Sequence, residues 1–338
     1  MNRAAAWGLV LAAVVGGRAA AADMAPLGAD FLRPTLQEPV TSLDDTTWTV
    51  EGRYWLSTGR TAYAINSSRV DPSLGNPTSR LQYDKLSGQS GEVEIRSDEP
   101  VSGLFGKAMV GIGGITGGTL RDQDWYRGQV LFSDTLSRIQ DGRLAFVTID
   151  GGTRWDGLSG RLVTTGVFAG YGFWGEKAPA RGIRCNPDDV GNIDCPLGVD
   201  LLPPTASAIR NHVNWHMLRL GVETKVRIGS MLTLSGEIAV IPIAFLANDD
   251  YHNNRRDLGL VPNVFQQAPA FGVQAQAFAT LNLTQNWSIG AGARYWRVQT
   301  YEGSGDAKFS HGVFSTSVAL NKMESSRYGL LATSALRF

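Results

Sequence analysis

The chain has 338 residues, with 31 basic and 31 acidic side chains and a formal net charge of zero. No overall charge steers it to nucleic acid or to an acidic surface. No segment beyond Asp23 is apolar over the ~20 residues that a spanning helix needs. The mature chain is therefore expected to be either soluble or a closed barrel, the other structure that satisfies its backbone inside lipid.

Asn2 and Arg3 make a short basic start, and Ala4 to Gly17 an apolar run that Arg18 interrupts. Ala20-Ala21-Ala22 then offers a small-residue cleavage site, so residues 1–22 read as an export signal. Residues 23–46 are Pro-rich and aperiodic, which suggests a tether. From Thr47 the pattern becomes alternation: Trp48, Val50, Tyr54 and Leu56 fall on one face, Glu51 and Arg53 on the other. A polar loop with Pro72 and Pro77 precedes a second strand at Arg80–Leu86. Residues 87–100 fit a short strand and an irregular connection equally well. A third strand, Leu104–Ile115, sets Ala108, Val110 and Ile112 on one face and leads to Asp122 and Asp124.

Strands at Gly142–Gly152 and Arg161–Phe173 follow, then a loop of more than thirty residues with Cys185 and Cys195. An even pair at this spacing in an exported chain points to a disulfide closing a polar loop. Two thiols remote from the histidines make a poor zinc site. The aspartates between them read as solvated loop charge rather than a calcium site. His216–Ile228, Leu232–Leu246, Phe271–Leu283, Trp287–Val298 and Arg327–Phe338 complete ten strands, the last ending on an aromatic.

An even strand number, with short turns alternating with long loops, is the pattern of an outer-membrane barrel. A soluble barrel or sandwich would bury the apolar faces instead. The export signal, the turn and loop asymmetry, the charge crowded on one face and the terminal Phe338 favour lipid. The expected fold is an all-β, ten-stranded, antiparallel up-and-down transmembrane barrel over residues 47–338. Its strands are long enough to carry it above the membrane.

Two short motifs carry chemistry. In Asp122-Gln123-Asp124-Trp125 the two carboxylates point to one face of a strand, close enough to share a proton or hold a water. Asp250-Tyr251-His252 repeats that spacing with an imidazole. Both lie at the loop end of strands running the same way, so they meet at one rim. There Asp250 would orient His252, and His252 would act as general base on a water that the aspartate pair holds from the other side. By spacing alone, each motif is as often loop charge, a capped turn or half a metal site.

Together with Leu81-Gln82-Tyr83 in the second strand, the strand order and Phe338, these motifs resemble the omptins, ten-stranded outer-membrane proteases with an extracellular groove. The resemblance implies that Asp122 and Asp124 form the family's aspartate couple, and Asp250 and His252 its dyad. It implies attack of an activated water on a peptide bond, with no covalent intermediate, no metal and no cofactor. The implied location is the bacterial outer membrane with the site facing outwards. The implied partners are a peptide or protein substrate and outer-membrane lipid, lipopolysaccharide included. Family members that cut between basic residues use acidic groups at positions that fall here on Asn248 and on Ala62 or Tyr63. None of these is acidic, so the chemistry can persist where the dibasic specificity does not. The other readings are a non-enzymatic barrel acting as adhesin, receptor or structural protein, and a passive pore.

Overall fold

Alternation of apolar and polar residues builds a closed antiparallel ring. The computed structural model describes residues 46–157, 160–188, 194–255, 258–311 and 314–338. The expected export signal and the tether up to residue 45 lie outside the described residues. The strands are β1 (Thr47–Asn66), β2 (Ser79–Asp98), β3 (Leu104–Tyr126), β4 (Val130–Ile139), β5 (Gly142–Gly157) and β6 (Gly160–Cys185). They continue as β7 (Asp200–Ile228), β8 (Leu232–His252), β9 (Val264–Asn282), β10 (Trp287–Thr300), β11 (Gly305–His311) and β12 (Phe314–Arg337).

β4 and β5 run on from each other between β3 and β6, and β10 and β11 do the same between β9 and β12. The ring thus has ten positions, closed by β1 on β12 from Thr49↔Arg337 to Asn66↔Ala319. The strands reach further than the alternation indicated. Residues 87–98 belong to β2, and the long cysteine loop shrinks to residues 186–199 because β6 and β7 climb into it. Above the membrane the outward face meets water instead of lipid while the inward face stays buried, so apolar and polar residues no longer sort cleanly by parity. Cys185 and Cys195 are joined, as expected.

The outer surface carries the lipid belt. Trp48, Trp155, Trp287 and Phe338 are exposed at its turn end, and Tyr171, Phe245, Tyr295 and Tyr328 at its loop end. Tyr328 to Phe338 is roughly 33 Å of strand, or about 25 Å of height at a ~40° tilt, the thickness of an outer-membrane apolar band. Just above it the outward residues turn ionic: Arg60 pairs with Asp84 at 2.9 Å, and Arg297 with Glu324 at 2.7 Å.

The lumen is filled. Its lower part holds buried ion pairs, including Arg294–Glu92 (2.8 Å), Arg219–Glu237 (2.8 Å) and Arg96–Glu223 (2.6 Å). Above these sits an aromatic plug in which Phe146 and Trp174 stack with centroids 4.9 Å apart, flanked by Trp55 and Trp296. The lumen is therefore not polar throughout, since these tryptophans point inwards. The plug is the floor of the site.

Candidate active site

Strict alternation would aim both motifs at the wrong side of the wall. On β3, Val110 and Ile112 face lipid, and on β8, Leu234, Ile238 and Val240 do the same. Even-numbered positions higher up would follow them outwards. One extra residue in each strand reverses this. On β8 the register passes from Ile241↔Gly272 to Ala244↔Ala270, leaving Pro242-Ile243 as a bulge. A proline suits that place because it has no N–H to give the ladder. On β3 the register passes from Gly88↔Ile115 to Ser87↔Gly117, leaving Thr116 over.

Just above it, Gly118 has φ +153°, and a Cβ there would stand 3.0 Å from the Asp84 carbonyl and 2.8 Å from Leu86. Beyond the bulges Leu120, Leu246, Asn248 and Asp250 are buried, while Ile243 and Phe245 are exposed. The even positions now face the lumen.

Asp250 is fully buried. Its Oδ2 accepts the hydroxyl hydrogen of Tyr63, reaching from β1 across the lumen, and lies 3.4 Å from His252 Nε2. The end of β8 is clamped by Asn263, whose Oδ1 accepts from the His252 backbone N–H at 2.9 Å while its Nδ2 donates to the His252 carbonyl at 3.2 Å. Asp122 and Asp124 lie opposite Leu81 and Ser79 of β2.

The two pairs feel each other's charge. Burial, then Asp124, push the Asp122 carboxyl up to about 8, with His252 acting the other way. Burial also raises Asp124, against the Ser79 hydrogen bond and the charges of Arg255 and His252. Burial opposes a charged His252, but Asp250 and Asp122 outweigh it and raise its pKa. Tyr63 and Tyr83 are held well above the usual phenol range, first by burial and then by Asp250, so both stay neutral.

The four residues singled out in the sequence thus lie within electrostatic reach of one another. Asn248 lies on the same face as Asp250 and donates to Gln266 Oε1 at 3.1 Å. Ala62, one residue from Tyr63, takes the other side of β1 by parity. Sequence reasoning missed Asn211, directly opposite Asp250 on β7, and the fully buried Asn263 and Gln266 on the far side of β8. Polar residues at lumen-facing positions above the belt would have marked them once the bulges were known.

Asp122 Oδ1, Asp250 Oδ1, Asn248 Oδ1 and Gln266 Nε2 are buried and make no hydrogen bond among the described residues. Buried polar atoms of this kind are normally satisfied by water or ligand. The wall behind Asp122 is braced from outside. Asp134 of β4 is buried against Arg121, and the Asn186 amide beside Cys185 donates to it at 2.9 Å.

Among solved structures, the chain resembles the outer membrane protease OmpT from Escherichia coli with a TM-score of 0.70. Identity is 14%, and the match covers 86% of this chain and 97% of that one. The translocator domain of the autotransporter NalP from Neisseria meningitidis also matches, with a TM-score of 0.32 and 12% identity over 87% of this chain and 90% of that one. No protein-family model matches, and no curated protein sequence matches. The chain has an outer-membrane β-barrel fold of the omptin-like kind.

Proposed function

We propose that the protein is an outer-membrane endopeptidase, anchored by its belt, that hydrolyses peptide bonds at its extracellular rim. The observation that carries this reading is that Asp122, Asp124, Asp250 and His252 feel one another's charge on the inner side of the wall, which each pair reaches through its own bulge. His252, oriented by Asp250, takes a proton from a water, and the Asp122–Asp124 couple holds that water from the opposite side. The couple keeps a proton near neutral pH, as two half-buried carboxylates crowded on one face do. It can therefore donate a hydrogen bond to the oxygen of the scissile carbonyl or of the water. No metal or cofactor is assigned a part. The OmpT structure, described as an outer membrane protease, supports this by fold alone.

Residues 1–22 serve as the export signal in this reading. Arg143, Lys177 and His212 stand side by side across β5, β6 and β7, above the aromatic edge. Their position suits anionic headgroups of the outer leaflet, lipopolysaccharide phosphates included.

The site test is a double-mutant cycle on peptide cleavage. Asp122→Ala and His252→Ala should each lower the rate about 10²-fold or more, and the double variant should fall little further, because residues acting as one unit are non-additive. Additive losses would break the pairing, and full activity in His252→Ala would reject the site. A receptor or adhesin is the second reading, favoured by Leu197, Val199 and Leu201, exposed around the disulfide loop. Under it all these variants behave as wild type in every assay.

A further inference from the structure

Tyr63 stands out among the groups around the dyad. Its position is one at which the resemblance implies a specificity group, yet its hydroxyl is engaged with Asp250. It is buried, and it donates to Asp250 Oδ2, the oxygen that also faces His252 Nε2. β1 and β8 stand far apart in the ring order. This contact therefore ties opposite walls together at the height of the chemistry.

We propose that Tyr63 is a positioning residue for the dyad, fixing the Asp250 carboxylate and through it the direction of the His252 ring; this rests on the peptidase reading above. Oδ2 has two lone pairs to share. With one given to the phenol hydrogen, its hydrogen bond to the imidazole is longer and weaker, which fits the 3.4 Å separation. The phenol thus moderates how strongly Asp250 holds a proton on His252, so that the ring can release it again in each turnover. Because the phenol stays neutral, the arrangement persists over the whole working pH range.

The other charged groups acting on the imidazole are Asp122 and Asp124 from β3 and Arg255 after β8, while Tyr83 of β2 acts on Asp250 and Asp122. The adjoining strands contribute the uncharged Asn211 and Asn263. Tyr63→Phe changes none of these charges and removes one hydroxyl, so the effect is readable.

The experiment is an NMR titration of the His252 ring in folded wild type and Tyr63→Phe, with the pH profile of peptide cleavage measured on the same samples. Removing the hydroxyl should free Oδ2 for His252 and raise its pKa by about half a unit or more. The acidic limb of the rate should move up with it, and kcat should drop about tenfold with KM little changed. An unchanged or lowered His252 titration in Tyr63→Phe overturns the proposal. The titration reads the ring directly, so the proposal stands or falls on it even if neither protein cleaves peptide. Absence of cleavage would count against the peptidase reading alone.

Discussion

The ionisation of His252 is set by a contest that its neighbours win. Burial opposes the imidazolium, but Asp250 and Asp122 raise its pKa above the ordinary 6.5. A general base works only when neutral, so the rate should fall on the acid side as pH drops through this raised value. Asp122, pushed up to about 8 by burial and Asp124, loses its proton at the other side. A mechanism that needs that proton should fade as pH rises through about 8, giving a narrow bell. Asp250→Asn removes a negative charge that helps keep the proton on His252. Its acid limb should therefore shift to lower pH while the maximum falls. A flat profile from pH 6 to 9, or a limb that moves up in Asp250→Asn, would contradict these roles.

The bulges are the feature at element scale on which the site depends. Deleting Pro242 restores strict alternation in β8 and should turn Asp250 and His252 to the outer face, abolishing cleavage. Pro242→Ala keeps the extra residue and should retain activity within a few fold. Cleavage at wild-type level by the deletion variant would show that parity is set elsewhere. This is also where legibility in the sequence ended. Strand direction, the order of the ring and the shared rim could be read because lipid-facing Val110, Ile238 and their neighbours alternate with charged lumen residues. The pairing of Asp122 with Asp124, and of Asp250 with His252, needed only a period of two.

What could not be read was a single-residue insertion. Thr116 looks like any other strand position until the register shows it unpaired, and Pro242 marks a break in the ladder without telling that one residue is added there. The upper strand segments were invisible for a related reason: at Pro179 or Arg210 water replaces lipid outside, and the alternation loses its physical cause. Tyr63 was placed near the site by resemblance, but its bond to Asp250 is a cross-lumen contact that no local pattern encodes.

On the scale of the molecule, the belt holds the barrel in lipid and the filled lumen makes it a platform rather than a conduit. The cavities within the lower charge network are small, about 120 and 110 Å³. The plug of Trp55, Phe146, Trp174 and Trp296 separates them from the dyad. Asn248 and Gln266 give the site a neutral lining beside Asp250, where a buried lysine or arginine side chain would find no added carboxylate. Unpaired burial of such a cation costs several kcal/mol.

The measurement that tests the account most directly is product analysis by mass spectrometry after folded protein, refolded into detergent with outer-membrane lipid, is mixed with a peptide library. Wild type should generate new termini, with dibasic sites cut poorly. His252→Ala should generate almost none, and Asn248→Asp should improve cutting at dibasic sites. No new termini from wild type, or equal yields from wild type and His252→Ala, would contradict the claim that this site hydrolyses peptide bonds.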